Sequence, residues 1–146
     1  MIHQTKISPR YAETDQMGII HHAVYPIWYE VARTEFLHAI DIDYAELERH
    51  GLRAPLIELN VQYKGVTRYD QPLVVETRIN KLSASRIWFY YEVFVEGQDK
   101  PVNNGCTVHA WTNLLKPINM KKHYPEAYQK LFAAIDPIVS KRSLPV

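Results

Sequence analysis

Two hydrophobic periods alternate along the chain and predict the order of its secondary structure. Residues 2–11 are predicted as a first strand, with Ile2 and Ile7 as weak apolar markers, and residues 12–22 lack any clear period and contain Gly18, which predicts a loop. The pattern then becomes helical, with apolar residues three and four positions apart, and predicts a largely buried helix over 23–39. The members of this apolar stripe are Val24, Ile27, Trp28, Val31, Ala32 and Phe36. A shorter helical stretch over 44–50 is predicted to end at Gly51.

A period of two follows and predicts four more strands. Apolar and polar residues alternate over the segments 59–63, 73–79, 87–95 and 106–114. The turn sequences at 83–85 and 97–101 are short, which favours antiparallel hairpins between neighbouring strands. We therefore expect one antiparallel sheet of about five strands.

A terminal helix is predicted over 123–136, because apolar residues recur there on one helical face. Its marked residues are Tyr128, Leu131, Phe132 and Ile135. One long helix against one antiparallel sheet, with a helix at the end, makes an α+β protein. We expect a single domain over 1–146, with a loosely ordered tail from about residue 138.

The sheet is predicted to carry apolar side chains on both faces. Trp88, Tyr90 and Phe94 alternate with the inward-facing residues of the segment 87–95. A sheet that is apolar on both faces needs a second covering surface, which favours a homo-oligomer. The alternative is that the terminal helix covers the second face.

Composition narrows the class of protein. The 146 residues are 47% hydrophobic and 23% charged, as in ordinary globular proteins, so wholesale disorder is excluded. The formal net charge of +1 shows no basic excess, so nucleic acid is not an expected partner. A local basic patch for a small anionic ligand remains open.

The single cysteine, and the lack of a secretion signal or a membrane span in the sequence, bear on cellular location and on cysteine chemistry. Cys106 is the only cysteine, so no intrachain disulfide forms, and its apolar surroundings favour an inert buried thiol. The first residues lack the apolar core of a secretion signal, and no stretch reaches the length of a membrane span. We expect a cytoplasmic protein.

The most unusual segment runs from residue 11 to residue 25. It carries two carboxylates, two adjacent histidines and a glycine immediately before the predicted long helix. A helix N-terminus presents backbone N–H groups that can stabilise an oxyanion, and a carboxylate beside it could attack a carbonyl or activate water. Asp15 is therefore a candidate nucleophile or base, and the amides of His22 and Ala23 are candidate oxyanion donors.

Plainer interpretations of the same residues stay open. Asp15 could be a turn or cap residue, and His22 could be a half-buried, hydrogen-bonded histidine. Metal binding by His21 and His22 is the weaker idea, because adjacent side chains in an extended segment point apart and the ligand spacing is missing. Glu30 and Arg33 could simply pair with each other on the helix.

The segment 11–33 resembles the hotdog-fold acyl-CoA thioesterases, in the branch that contains 4-hydroxybenzoyl-CoA thioesterase and the Tol-Pal-associated thioesterase. The shared features are an aromatic residue, a D-x-x-G loop and an aromatic helix of the form Y-x-x-x-Y-E-x-A-R. They stand here as Tyr11, Asp15-Gln16-Met17-Gly18 and Tyr25-Pro26-Ile27-Trp28-Tyr29-Glu30-Val31-Ala32-Arg33. Residues 60–63 and 68–77 are similar to two later strands of the family.

This resemblance implies a hotdog fold, in which an antiparallel sheet wraps one long central helix, and a homodimer or homotetramer. It implies hydrolysis of acyl-CoA to free acid and CoA, with Asp15 as the catalytic carboxylate, acting as nucleophile or general base. It also implies that the amide of His22 polarises the thioester carbonyl and that the His22 side chain takes part. No metal and no cofactor besides the CoA of the substrate is expected.

Further residues are candidates for binding the acyl group and the CoA phosphates of the substrate. An acyl pocket is expected to involve Met17, Gly18, Ile19, Tyr25 and Tyr29. Candidates for the CoA phosphates are Lys64, Arg68, Arg86 and Lys116. Gln16 and Met17 depart from the small or proline residues often seen in the family loop, and His21 replaces an aromatic or aliphatic residue. The alternatives are an acyl-CoA or fatty-acid binding module, an acyl-carrier-protein thioesterase and a thioester dehydratase.

Overall fold

Five antiparallel strands form the main sheet of this computed structural model, which describes residues 1–138. In chain order the strands are β1 (His3–Ile7), β2 (Leu52–Arg53), β3 (Leu56–Tyr63), β4 (Leu73–Leu82), β5 (Arg86–Val95), β6 (Asn103–Ala110), β7 (Thr112–Asn113) and β8 (Lys116–Pro117). The helices are α1 (Tyr25–Ala39), α2 (Tyr44–Arg49), α3 (Met120–His123) and α4 (Pro125–Ala133). The main sheet has the order β1-β4-β5-β6-β3, which confirms the predicted α+β architecture.

The long helix α1 packs against the sheet as its hydrophobic period predicts. Its buried side chains are Tyr25, Trp28, Tyr29, Ala32 and Phe36. Ile27 and Val31 belong to the predicted buried stripe but are 56% and 42% exposed. The two residues lie four positions apart on one flank of α1, so the apolar stripe is wider than the face that meets the sheet.

The closest approach of α1 to the sheet is at Gly105 in β6. A Cβ atom on Gly105 would stand 2.4 Å from the ring of Tyr29, so only a glycine leaves room for that ring. Tyr29 also stacks on Tyr91 of β5, with ring centroids 4.4 Å apart and planes 4° apart. The Tyr29 hydroxyl donates a hydrogen bond to Asn103, and the Tyr91 hydroxyl is hydrogen-bonded to Thr107. Asn103 and Thr107 lie two residues on either side of Gly105 in β6.

The short helix α2 begins and ends as predicted. The Asp43 side chain caps it by accepting a hydrogen bond from the amide of Glu46 at 3.1 Å. Gly51 follows the helix with φ of +99°, a conformation that glycine adopts without strain.

The predicted strand over 106–114 is wrong at its end. Strand β6 stops at Ala110, and the chain then enters a second sheet of order β2-β7-β8. Leu114 and Leu115 form an exposed turn in which both residues have positive φ, +47° and +69°. An apolar alternation continued through Leu114 by chance, and the period could not reveal the change of sheet.

The two ends of the described chain also differ from prediction. Strand β1 ends at Ile7, and a single 3-10 turn, Tyr11–Glu13, replaces the end of the predicted first strand. Helix α4 is shorter than 123–136, and Phe132 is 58% exposed although Tyr128 and Leu131 are buried. The predicted tail from about residue 138 lies outside the described residues.

Helix α4 does not cover the outer face of the sheet. Leu131 of α4 lines a cavity together with Phe89 and Leu37, on the side of the sheet that α1 occupies. Trp88, Tyr90 and Phe94 of the outer face are half-buried. The alternative in which the terminal helix covers this face is therefore wrong.

Strand β3 is an edge of the sheet, and its apolar residues are exposed. Leu59, Val61 and Tyr63 pair with Thr107, Gly105 and Asn103, which places them on the same face as α1. Leu59 is nevertheless 44% exposed and Tyr63 51% exposed, whereas Val61 is half-buried. The alternation predicted which residues share a face, and the edge position decided how far they are buried. No helix within residues 1–138 is long and apolar enough to cross a membrane.

Candidate active site

The loop before α1 is a tight hairpin. Thr14 and Ile20 form an antiparallel bridge, the Asp15 amide donates to the Ile19 carbonyl at 2.8 Å, and the Gly18 amide donates to the Asp15 carbonyl at 3.0 Å. Gly18 has φ of +76°, which is why a glycine suits this turn. The D-x-x-G sequence therefore acts as a turn that presents Asp15.

Asp15 was predicted either as a catalytic carboxylate or as a turn residue, and its turn role is compatible with the catalytic one. Its Oδ1 accepts a hydrogen bond from the Met17 amide at 2.8 Å, as a turn-forming aspartate does. The side chain is only half-buried, and within residues 1–138 it forms no ion pair with a basic group. This turn bond holds Oδ1, and Oδ2 accepts no hydrogen bond within residues 1–138.

Glu13 is the second carboxylate of the segment, and it is structural. It is 7% exposed, its Oε1 accepts from the Arg10 amide at 2.7 Å, and its Oε2 accepts from Trp28 Nε1 at 3.1 Å. The Arg10 side chain adds an ion pair at 3.5 Å. Glu13 thereby anchors the loop to α1. No sequence pattern distinguishes this buried glutamate from an exposed one.

A second anchor comes from the segment between β3 and β4. Thr67 is fully buried, its carbonyl accepts from the Ile20 amide at 2.8 Å, and its hydroxyl lies 2.8 Å from Tyr25 Oη. One threonine thus holds both the loop hairpin and the first turn of α1. Burial raises the pKa of the Tyr25 phenol, which is consistent with this structural role.

Among residues 21–24, one backbone amide has no acceptor in the described part of the chain. The Ala23 amide donates to His21 Nδ1 at 3.1 Å, and the Val24 amide donates to the His21 carbonyl at 3.0 Å. The His22 amide has no acceptor within the described part of the chain. Of the two predicted oxyanion donors, His22 is therefore open, whereas Ala23 is engaged by a side chain.

The exposed phenol of Tyr63 fixes the peptide that follows His22. Tyr63 Oη donates to the His22 carbonyl at 2.6 Å. The same peptide unit carries the Ala23 amide, so both of its polar groups are held. Sequence reasoning missed Tyr63 as a site residue, although it lies in the family-like segment 60–63.

The two histidines do not point apart. The segment is a turn, and the rings of His21 and His22 stack with centroids 4.1 Å apart and planes 30° apart. The expectation from an extended segment is therefore wrong for these side chains. Within residues 1–138, no three His, Cys, Asp or Glu side chains meet as a metal site would require.

The predicted acyl-pocket residues divide into two groups. Met17 is 73% exposed, and Gly18 and Ile19 lie beside it on the loop surface. Tyr25 and Tyr29 are 2% and 0% exposed, so their side chains belong to the core rather than to an accessible surface of the single chain. Burial also raises the pKa of the Tyr29 phenol.

The four basic candidates lie at opposite ends of the sheet. Arg68 is next to the loop, because its Nη1 lies 4.0 Å from where a Cβ on Gly18 would stand, and Lys64 directly follows β3. Val93 of β5 lies at the same end of the sheet as Tyr63, because both residues pair with Asn103. Arg86 begins β5 and lies seven residues away from Val93, toward the opposite end. Seven strand residues span roughly 24 Å. Arg86, with Lys116 of β8, therefore does not join Arg68 in one patch of a single chain.

Two further expectations are resolved by contacts. Arg33 does not pair with Glu30; its Nη1 donates to Tyr91 Oη at 2.9 Å. Cys106 is a buried free thiol, and burial raises its pKa to about 11, which confirms the expectation of an inert cysteine.

A turn that holds a carboxylate thus precedes an amide without an acceptor at the start of the long helix. The family model of the thioesterase superfamily matches residues 17–102, and the chain belongs to this family. Its sequence is 30% identical to YneP of Bacillus subtilis, assigned provisionally as an acyl-CoA thioesterase, over 88% of this chain and 96% of that protein.

Other relatives agree on the family. The crystal structure of DHNA-CoA thioesterase from Staphylococcus aureus has a TM-score of 0.84 and 36% identity, and the match covers 90% of this chain and 91% of that one. An acyl-acyl carrier protein thioesterase of Arabidopsis thaliana, ATL3, is 29% identical over 81% of this chain and 63% of its own length. The predicted hotdog fold and thioesterase class are thus confirmed.

Proposed function

We propose that the protein hydrolyses acyl-CoA thioesters to the free acid and CoA. The observation that carries the proposal is that one loop before α1 holds the Asp15 carboxylate in a turn and leaves the His22 amide without an acceptor in residues 1–138. Relatives named for acyl-CoA hydrolysis support the substrate class.

Two routes fit the Asp15 carboxylate. As a base, it accepts a proton from water while the water oxygen attacks the thioester carbon. As a nucleophile, it attacks that carbon itself and forms an anhydride that water later cleaves. In both routes the carbonyl oxygen gains negative charge, the His22 amide stabilises it, and the C–S bond breaks to release the CoA thiolate. We assign to the His22 side chain, which is exposed, the role of orienting the thioester or the water.

The direct test is thiol release from short, medium and long aliphatic acyl-CoAs and from aryl-CoAs. We expect Asp15→Asn to lower kcat/KM at least a hundredfold, because it removes the base or nucleophile while keeping a turn-forming oxygen. Asp99→Asn, in an exposed turn, is the matched control. Full activity of Asp15→Asn would disprove the assignment. Binding of acyl-CoA without turnover by either protein would instead favour a binding module.

The acyl group and its carrier are part of the proposal. Within the family we propose the branch of 4-hydroxybenzoyl-CoA and Tol-Pal-associated thioesterases, on the motifs of residues 11–33. The similarity to a DHNA-CoA thioesterase supports aryl-CoA substrates in the panel, and the similarity to ATL3 supports a parallel assay with acyl-carrier-protein esters. Turnover only with the carrier protein would replace CoA in the proposal.

Recognition of the CoA phosphates is assigned first to Arg68 and Lys64. Both are exposed at the loop end of the sheet, and Arg68 forms no ion pair within residues 1–138. Arg68→Gln is expected to raise KM severalfold with little change in kcat, whereas Lys121→Gln, exposed on α3 near the opposite end of the sheet, should leave KM unchanged. Arg86 and Lys116 join this site only if a second copy brings them there.

We also propose a homodimer or homotetramer. The free edge of β3 exposes Leu56, Ile57, Leu59 and Tyr63, and α1 exposes Ile27 and Val31. An apolar edge strand of this kind favours pairing with another copy. Light scattering should give a multiple of the chain mass, which Leu59→Glu lowers and Leu115→Glu, at an exposed turn, does not. A cytoplasmic location stays a prediction from the single buried cysteine.

A further inference from the structure

A cavity of about 360 Å³ lies away from the Asp15 loop, between α1, α2 and the end of the sheet where β5 begins. No residue between 11 and 25 lines it. Its apolar walls include Leu37, Ile42, Leu47, Leu52, Ile87 and Phe89. The chemistry proposed for the loop makes no use of this space.

Arg33 brings a positive charge into the cavity. The guanidinium donates one hydrogen bond, from Nη1 to Tyr91 Oη, and lies 6.0 Å from the centre of the Phe89 ring. Within residues 1–138, no carboxylate oxygen stands within 4.0 Å of it. The other guanidinium N–H groups have no protein acceptor there, so a bound anion would meet free donors.

His109 contributes an unused acceptor. Its Nδ1 is 2.9 Å from the Ala54 carbonyl, which can only accept, so Nδ1 carries the hydrogen and Nε2 presents a lone pair. His109 is 4% exposed, and Nε2 is buried without a partner in the described residues. A hydroxyl group is the neutral donor that would satisfy this nitrogen.

Trp111 contributes an unused donor. It also lines the cavity, is 5% exposed, and has a buried Nε1–H with no partner in residues 1–138. Burying polar groups without partners costs free energy, so the two such groups on this cavity, His109 Nε2 and Trp111 Nε1, point to a ligand.

Two carboxylates also line the cavity. Glu30 is exposed to solvent and Glu48 is half-buried on α2, whereas Arg33 reaches Tyr91 on the buried face of the sheet. The positive group therefore lies at the inner end, and water screens the charge of Glu30.

We propose that this cavity binds a small hydroxylated carboxylic acid with an apolar body. Arg33 and the Trp111 N–H hold the carboxylate, His109 Nε2 accepts from the hydroxyl, and the leucine and isoleucine walls enclose the body. The proposal does not depend on the hydrolytic function, because none of these residues belongs to the Asp15 loop.

Equilibrium dialysis of the full chain with labelled 3-hydroxyoctanoate tests the site, with octanoate and octylamine as comparison probes. The wild type should bind the hydroxy acid more tightly than octanoate and should not bind the amine. Absence of binding by the hydroxy acid, or preference for octylamine, overturns the proposal.

Variants locate the ligand. Arg33→Met should weaken 3-hydroxyoctanoate binding at least tenfold, and Arg33→Lys, which keeps the charge, should restore part of it. His109→Asn should remove the preference for the hydroxyl while retaining octanoate binding. Arg49→Met, on the exposed end of α2, is the matched control and should bind as the wild type does. Equal binding by Arg33→Met and wild type overturns the assignment, provided that both have the same circular dichroism and melting temperature.

Asp15→Asn separates this proposal from the function above. We expect it to lose thioester hydrolysis and to bind 3-hydroxyoctanoate like the wild type. Loss of acid binding in Asp15→Asn would place the acid in the loop site and overturn a separate cavity site. Unchanged hydrolysis in Asp15→Asn, with acid binding lost in Arg33→Met, would overturn the hydrolytic mechanism alone.

Discussion

Tyr63, at the end of an edge strand, donates a 2.6 Å hydrogen bond to the carbonyl of His22, the residue whose amide is open at the start of the long helix. The bond joins two segments that are 41 residues apart in the chain. It makes the geometry of the candidate oxyanion site depend on the position of β3, the same strand whose free edge is available to a second copy.

Removing this phenol should lower activity more than stability. Tyr63→Phe loses one hydrogen bond of about 0.5–1.5 kcal/mol, so kcat/KM should fall between about twofold and tenfold. The free energy of unfolding should change by less than about 1 kcal/mol, because the side chain is 51% exposed. Steady-state kinetics and urea unfolding measure the two effects.

Tyr69→Phe is the matched control for Tyr63→Phe. Tyr69 is equally exposed at 51%, and its hydroxyl makes no hydrogen bond within residues 1–138. An equal loss of activity in both variants would mean that the bond to His22 has no part in positioning the site.

Glu13→Gln should destabilise the protein although it keeps the side-chain shape. One carboxylate oxygen accepts from the Arg10 amide and the other from Trp28 Nε1, so a glutamine must turn its NH2 group toward another donor. We expect a loss of about 1–3 kcal/mol in the free energy of unfolding, measured with urea. Glu35→Gln, exposed on α1, should change it by less than about 0.5 kcal/mol. A neutral Glu13→Gln would show that this carboxylate is not an anchor.

Gly105→Ala should destabilise the contact between α1 and the sheet. The added methyl group would stand 2.4 Å from the Tyr29 ring, and the ring is confined by its stack on Tyr91. Overpacking of this kind costs about 1–3 kcal/mol, visible in thermal or urea unfolding. If the clash is the cause, adding Tyr29→Leu to Gly105→Ala should cost less than the sum of the two single changes. Simple additivity would contradict it.

His109 should make the protein less stable in mild acid. Burial first, and the charge of Arg33 second, lower its pKa from 6.5 to about 4. Between these values the unfolded chain binds a proton that the folded chain does not, so the free energy of unfolding falls as the pH decreases from 6.5 to 4. At about 1.4 kcal/mol per pH unit, the loss approaches about 3 kcal/mol.

The comparison that isolates this histidine is His109→Asn, whose amide can still donate to the Ala54 carbonyl. Urea unfolding at pH 7 and at pH 4.5 should show a smaller decrease for His109→Asn than for the wild type. His38→Asn, exposed at the end of α1, serves as the control and should keep the full decrease. Parallel pH curves for wild type and His109→Asn would rule out His109 as the source.

Local chemistry predicted the parts of the site that lie within one segment. The D-x-x-G loop, the position of α1, the end of α2 at Gly51 and the face shared by Leu59, Val61 and Tyr63 all appear as expected. Each depends on residues a few positions apart, or on the period of a single strand, and such information is contained in the sequence.

The contacts between distant segments could not be predicted from such local patterns in the sequence. A period says which side chains share a face, but it does not say what lies opposite that face. For this reason the predictions that the whole apolar stripe of α1 is buried and that a strand continues through Leu114 were wrong. The same limit hid the bond from Tyr63 to His22, the Thr67 anchor and the cavity where Arg33 meets His109 and Trp111. The sequence by itself determined the order of elements and the loop that carries Asp15. Only the tertiary structure decided which polar groups are left without partners, because pairing in space depends on the path of the whole chain.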